Sequence, residues 1–307
     1  MTKRIRIGTR ESKLALWQAM QVQQSLNEDA GCETLLELIK SDGDINLIKP
    51  LYELGVQGIF TKALDIALLE NRIDIAVHSY KDVPVQLPEG LTIAAVLKRG
   101  NPFDMLVCRN EQTLTEVVTG AALIIASSSI RRKAQWLARY PNSSIENIRG
   151  NVQTRLQKLQ QSNWHGTIFA AAGLERLGIT DTETGPQLLL DWMLPAPAQG
   201  AIVVICRKED ASILQSCFSL NHQDTATCTL IERSFMRMMM GGCSTPISAY
   251  ATVVNDRIDF HANITAPNGS NAVVVKINAP INEASQIASR AFEKMKEGGV
   301  EKHLYKI

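Results

Sequence analysis

The sequence predicts an α/β protein of two similar lobes joined by two crossings, followed by a smaller α+β domain. Three observations carry this. Up to about Cys206, short apolar strands alternate with helices, the rhythm of βα units around a parallel sheet. Two breaks of hinge-like composition, Lys98-Arg99-Gly100-Asn101-Pro102-Phe103 and Leu194-Pro195-Ala196-Pro197-Ala198-Gln199-Gly200, bracket an inner series of the same kind. Past about Ser219 the pattern changes to one long helix, three strands and a closing helix. A chain of 307 residues is too long for one ordinary core. The predicted domains are 1–98 with 199–218, then 99–198, then 219–307, the last built on a three-stranded antiparallel sheet.

Arg4 to Gly8 alternates as a first strand and ends at Thr9-Arg10-Glu11-Ser12. Ser12 is a natural N-cap for the helix carrying Leu14, Leu16, Trp17 and Met20. A second strand near Thr34 to Ile39 ends at Ser41-Asp42-Gly43-Asp44, and Phe60 to Leu69 reads as helix. Ile73, Ile75 and Val77 then alternate at period two before the polar cluster His78-Ser79-Tyr80-Lys81-Asp82, and Val83-Pro84 keeps the chain extended. Lys81 and Asp82 therefore stand just past a strand's carboxyl end, where open α/β sheets place ligand chemistry. Taken alone, the segment reads more simply as a polar loop with one incidental carboxylate.

In the inner series, Ala121 to Ala126 is a strand and Ser127-Ser128-Ser129 caps a helix from Ile130 to Tyr140. Ser144 to Ile148 is a strand that turns through Arg149-Gly150-Asn151 into a helix from Val152 to Gln161, and Thr167 to Ala171 is another strand. Ala201 to Cys206 follows the second break. The last domain reads as a helix from Ala226 to Met240, strands at Ile247 to Val253, Arg257 to Ile264 and Ala272 to Ile277, and a helix from Asn282 to Lys296.

Composition excludes several classes. A net charge of +1 gives no overall pull toward nucleic acid, and the basic residues lack aromatic interleaving. The longest apolar runs are far short of a membrane span, and the start lacks the apolar core of a secretion signal. Cytoplasm is the expected compartment. The six cysteines include no C-x-x-C pair, so no metal site is expected. Cys243 differs in following two glycines on an open turn, where a thiol can act as nucleophile or covalent anchor. In isolation it is more often an idle exposed thiol.

Charge is informative by position. Arg10 with Ser12, Lys81 with Asp82, Ser127 to Arg132, and Arg149 to Arg155 all follow predicted strands. Arg131 and Arg132 fall in the first turn of their helix, where the dipole disfavours cations unless an anion is held there. One such arginine would pair with an acid elsewhere; five at equivalent positions point to a polyanionic ligand. No phosphate loop is present, and arginine forks suit carboxylates as well as phosphates.

Together these pieces resemble the porphobilinogen deaminase family along essentially the whole chain. The motifs are Ile7-Gly8-Thr9-Arg10-Glu11-Ser12 to Ala19, Ala67 to Pro84, Ser127 to Arg132, Ile148-Arg149-Gly150-Asn151 to Leu156, Ala196 to Ala201, and Glu232-Arg233 leading to Gly241-Gly242-Cys243. The resemblance implies two periplasmic-binding-protein-like lobes with a two-crossover hinge and a third domain. It implies a dipyrromethane cofactor joined by thioether to Cys243, and head-to-tail addition of four porphobilinogen molecules with loss of ammonia, giving hydroxymethylbilane for uroporphyrinogen-III synthase. Asp82 matches the catalytic aspartate. Arg10, Lys81, Arg131, Arg132, Arg149, Arg155 and Arg176 are expected to hold ring carboxylates, with Ser12, Gln18, Phe60, Ser127, Ser128, Ser129, Gly150 and Gln199 lining the same site. A monomer is expected. Departures are Glu53 and Gln57, where many relatives carry lysines, and Ala126 and Ala198, where glycines are common. A solute receptor would need a secretion signal and would have no need for Cys243; a nucleic-acid module would show steep salt dependence for DNA, and the balanced net charge speaks against it. Neither fits as well.

Overall fold

The structure is a computed structural model and describes residues 4–28, 30–40, 61–239 and 246–299. The described residues form two compact units: one gathers those up to Gly100 with Gly200–Thr227, the other Asn101–Gln199 with those from Cys228 onward. Cys243, Phe60, Glu53 and Gln57 lie outside the described residues, as does the predicted loop between Ser41 and Gly58.

The chain begins with β1 (Ile5–Thr9), α1 (Lys13–Glu28), β2 (Thr34–Leu38), α2 (Lys62–Leu69), β3 (Ile75–Ser79) and β4 (Leu91–Val96). Next come β5 (Asp104–Cys108), α3 (Glu111–Thr119), β6 (Ile124–Ala126), α4 (Ile130–Arg139) and β7 (Ser144–Glu146). They are followed by α5 (Val152–Gln161), β8 (Gly166–Ala170), α6 (Ala171–Arg176), α7 (Asp181–Thr184) and β9 (Gln187–Leu190). Then come β10 (Ile202–Arg207), α8 (Ala211–Cys217) and α9 (Gln223–Met238). The chain closes with β11 (Ile247–Val254), β12 (Arg257–Ile264), β13 (Val273–Pro280) and α10 (Ala284–Glu297).

The first unit's sheet has the order β2-β1-β3-β10-β4. Strands β1, β2 and β3 run parallel, as their βα rhythm predicts, but β10 is antiparallel to both β3 and β4. The second unit repeats this plan as β7-β6-β8-β5-β9, with β6 parallel to β7 and β8 and β5 antiparallel to β8 and β9. The sheets are therefore mixed rather than parallel throughout. In each, the reversed strand is one that adjoins a break between the units, and its direction is set by connection rather than by local pattern.

Strands covered on both faces build the core of the first unit, and period-two burial builds that of the third sheet. Ile5, Ile7, Ile75 and Val77 pack on Ala19, Val22 and Leu26 of α1. The carboxylate early in the same stretch, Asp74, is fully buried and takes Arg6 and Arg207 at 2.9 and 3.1 Å, so it pins the amino ends of β1 and β3. The third sheet, β11-β12-β13, buries Ile258, Phe260, Ala262 and Ile264 against Phe235 of α9 and Ile287 and Ala291 of α10. Each large apolar side chain buried this way is worth about 1.5–3 kcal/mol, and Phe235 and Phe260 add an edge-on ring contact at 5.5 Å.

Candidate functional site

In the first unit, the parallel register Ile7↔Ile75 and Gly8↔Ala76 brings the carboxyl ends of β1 and β3 side by side. Arg10 and Ser12 follow one strand; Lys81 and Asp82 follow the other on a short 3-10 turn, Tyr80–Asp82. The turn is fastened from both sides: Tyr80 N–H donates to Ala201 O at 3.0 Å and Val83 N–H to Tyr80 O at 3.3 Å. Asp82 and Lys81 remain partly exposed on it. Ser12 Oγ accepts the Ala15 N–H at 3.3 Å, so it caps α1 as expected. Gln18 is only 2% exposed and donates to Ser79 Oγ at 2.8 Å. It braces the end of β3 from α1.

His78, which sequence reasoning passed over, sits at the level of Arg10 in the same register. Burial pushes its imidazole down to about 3, and the Arg10 charge adds to the effect. The ring is thus neutral at working pH, and its Nε2 has no hydrogen-bond partner among the described residues.

In the second unit the same logic gathers a different set. β6, β7 and β8 are parallel, so Ser127 to Arg132, Arg149 to Arg155 and Ala171 to Arg176 all follow at one edge of the sheet. Because β5 runs the other way, its first residue, Asp104, lies at that edge too. Asp104 is fully buried and accepts from Arg131 Nη2 at 2.7 Å, from Arg132 Nε and Nη2 at 3.0 and 2.7 Å, and from Gln199 Nε2 at 2.9 Å. Arg131 Nη1 donates further to Leu194 O and Arg132 Nη1 to Ile168 O, each at 2.8 Å. Burial lowers the Arg131 guanidinium from its ordinary value, and Asp104 works against that shift.

This changes the reading of the helix start. The sequence predicts that two arginines in the first turn of α4 call for a ligand anion. An anion is present, and it is the protein's own Asp104. Arg131, Arg132 and Gln199 are 5%, 6% and 1% exposed. They form a braced cationic hub with one net positive charge. Gln199 lines the hub from inside: its side-chain amide donates inward, to Asp104 and to Pro102 O at 2.8 Å.

The serines are construction elements as well. Ser129 Oγ caps α4 through the Arg132 N–H at 3.4 Å, and Ser127 Oγ accepts from Ser129 N–H at 3.3 Å. Ser128 Oγ donates to Ile148 O at 2.6 Å and accepts Ile148 N–H at 2.9 Å, tying the loop after β6 to the loop after β7. Gly150 has φ +120°, and a Cβ there would meet Thr154 Cγ2 at 2.7 Å, so the turn into α5 requires glycine. Asn151 caps α5 by accepting from Thr154 N–H at 3.0 Å, and Arg155 Nε returns to Gly150 O at 2.8 Å. Arg149 is 8% exposed. Burial brings Arg176 down to about 10, with Glu175 opposing.

The thiols divide clearly. Burial pushes Cys108 and Cys217 up to about 12 and Cys206 up to about 11. Cys228 lies in the core under the third sheet. Such thiols stay protonated and are poor nucleophiles. Among the described residues no group of three or more His, Cys, Asp or Glu side chains is placed to hold a metal ion, and no helix is long and apolar enough to cross a membrane.

Comparison with known proteins adds family evidence to this geometry. Residues 5–215 match the family model described as porphobilinogen deaminase, dipyromethane cofactor binding domain, and residues 226–297 match its C-terminal domain. The chain is similar to the chloroplastic porphobilinogen deaminase of Oryza sativa subsp. japonica, with 43% identity over 90% of this chain and 78% of that one. It is similar to the porphobilinogen deaminase of Pelotomaculum thermopropionicum, with 40% identity over 97% of this chain and 95% of that one. Among solved structures, the Bordetella pertussis BvgS periplasmic VFT2 domain aligns with a TM-score of 0.45 and 11% identity, over 73% of this chain and 90% of that one. At that level the fold assignment rests on the sheets themselves.

Proposed function

The chain belongs to the porphobilinogen deaminase family, and from that premise we propose how its residues divide the work. The enzyme is a transferase that condenses four porphobilinogen molecules head to tail, with loss of ammonia, to give hydroxymethylbilane for tetrapyrrole biosynthesis. It belongs to the dipyrromethane-dependent class; when bound, that group supplies the pyrrole carbon to which the first substrate ring is added.

The donor set fits such a group. Each pyrrole carries two carboxylates, and the strand ends of both units are rich in cations. Arg10, Lys81, Arg149, Arg155 and Arg176 bind these carboxylates. Arg131 and Arg132 add the N–H groups that Asp104, Leu194 and Ile168 leave over. Cys243 is the attachment point; the buried thiols elsewhere in the chain are poor nucleophiles by comparison. Phe60 belongs to the same set of binding residues.

The observation that carries the reading is the place of Asp82: a partly exposed carboxylate on a fixed turn, one residue from Lys81 and across the strand ends from Arg10. There it holds pyrrole N–H groups and stabilises the positive charge that develops as ammonia leaves. It also takes the proton released when the new ring recovers aromaticity. Ser12, Gln18, Ser127, Ser128, Ser129, Gly150 and Gln199 position these groups by building the turns that hold them.

We keep the three-domain division at 1–98 with 199–218, 99–198 and 219–307, supported by the separate core under the third sheet. A monomer in the cytoplasm, passing its product to uroporphyrinogen-III synthase, accords with the reduced thiols Cys32, Cys108, Cys206 and Cys217. Intact-mass measurement of the purified protein tests the assignment: the chain carries a dipyrrole increment, and Cys243→Ser lacks it. An increment retained by that variant overturns the role of Cys243.

A further inference from the structure

Ala198 is the residue of the second break whose backbone stands out. It has φ +62°, a left-handed conformation that costs alanine stability and glycine nothing. It is fully buried, and its N–H donates to Glu232 Oε2 at 2.6 Å. The other oxygen, Glu232 Oε1, accepts the Ala251 N–H of β11 at 2.8 Å. Glu232 is itself fully buried in α9. β11 touches the same segment a second time through Ala249 N–H to Pro195 O at 3.3 Å.

The next residue points the other way. Gln199 N–H closes a turn on Ala196 O at 3.0 Å, and its side chain reaches Asp104, the carboxylate that orients Arg131 and Arg132. The left-handed twist at Ala198 is what lets one residue's N–H face α9 while its neighbour's amide faces the arginine hub. With a glycine in that place the twist would hold itself. With alanine an external bond must help.

We propose that Glu232 is a positioning residue that holds Ala198 in the left-handed conformation and, through Gln199 and Asp104, keeps the arginine pair oriented. Its consequence for turnover rests on the assignment of Arg131 and Arg132 to ligand carboxylates; the coupling itself does not. The same carboxylate joins this hub to the helix that leads, five residues past Met238, to Cys243.

The test is Glu232→Gln, made both in the native chain and with Ala198→Gly, read by hydrogen–deuterium exchange on the purified enzyme together with kcat and KM for porphobilinogen. In the native background, exchange in the segments around 195–199 and 130–134 should rise roughly tenfold. In the Ala198→Gly background the rise should shrink to about threefold or less, because the strain that the bond opposes is gone. Turnover should follow the same non-additive pattern. Equal effects in both backgrounds, or exchange that rises only in α9 and β11, would overturn the proposal. If Glu232→Gln does not accumulate as folded protein, Ala198→Val carries the test. It raises the strain with Glu232 intact and should loosen the same two segments; unchanged exchange there would be decisive against it. Exchange that responds as expected with unmoved kinetics would uphold the coupling and remove Arg131 and Arg132 from the ligand site.

Discussion

Asp104 takes the Arg132 guanidinium twice on one oxygen, Nε at 3.0 Å and Nη2 at 2.7 Å, leaving its other oxygen to Arg131 Nη2 at 2.7 Å. Three charged groups thus share a space from which water is almost excluded. Such a cluster is weak evidence for stability as a whole, because desolvation offsets most of the attraction. It is strong evidence for fixed orientation, since every displacement of one guanidinium breaks a bond that the site cannot replace with water.

Removing the shared partner should therefore be costly. Asp104→Ala leaves two buried, mutually repelling cations and is expected to lose about 3–5 kcal/mol of folding stability. Urea unfolding followed by circular dichroism reads this directly. A loss under about 1 kcal/mol would show that Arg131 and Arg132 find other partners, and the hub would be a convenience of packing.

Asp82→Asn isolates chemistry from structure. Its turn is held by the Tyr80 and Val83 backbone bonds, which the substitution leaves alone. An amide keeps the shape but can neither carry the negative charge nor take a proton. The expected variant is folded, shows the same mass increment as the native protein, and turns over at least about 100-fold more slowly, the usual contribution of a positioned acid–base group. Turnover near that of the native enzyme refutes the assignment.

His78 gives a pH prediction with a definite sign. Its pKa is about 3 when folded and about 6.5 in an unfolded chain. Above the unfolded value both states are neutral and the full stability is present. Below it the unfolded state binds a proton that the folded state refuses, so stability falls with falling pH, by about 1.4 kcal/mol per unit, until the folded value is reached. His78→Gln cannot protonate. Between about pH 7 and about pH 5 its stability should fall less steeply than that of the native protein, by about one proton's worth of slope. Parallel slopes for the two proteins would mean that the imidazole is hydrated in the folded state.

How much of this was legible in the sequence follows from what local pattern encodes. Period-two alternation located β12 closely, because it buries one face and a one-residue slip would expose it; β1 and β3 were found by their apolar residues, although both of their faces are largely covered. Ser12 and Ser129 were readable as caps because a cap is a local bond. Strand direction is not local. β5 was missed, and with it Asp104: the rule that ligands gather at carboxyl ends of parallel strands hides the amino end of a reversed neighbour. The signal was there in part, as Asn101-Pro102-Phe103-Asp104 followed by the apolar Met105 to Cys108. Ser128 shows a complementary case. A hydroxyl beside arginines reads as a ligand contact, and the structure adds a bridge to both backbone groups of Ile148 that the sequence does not show. Only the pairing of β6 with β7 creates that need.

The turn between β12 and β13 yields a last prediction, about the helix that carries the arginine pair. Gly269 has φ +86°, and its N–H closes the turn on Ala266 O at 2.8 Å. A Cβ there would lie 2.5 Å from both the Leu137 carbonyl carbon and the Ala138 nitrogen of α4. Those atoms are helix backbone and cannot step aside as a side-chain tip could. Gly269→Ala should therefore combine steric displacement with left-handed strain and cost about 2–4 kcal/mol. Gly120, at the end of α3, supplies the control. It has φ +76° and nothing within 4 Å of its virtual Cβ, so Gly120→Ala should cost only about 1–2 kcal/mol of strain. Thermal unfolding of the two variants separates the terms. If Gly269→Ala proves no more damaging than Gly120→Ala, the turn does not press on α4, and the third sheet holds that helix through the Gln135 bonds to Ser248 and Asn263 instead.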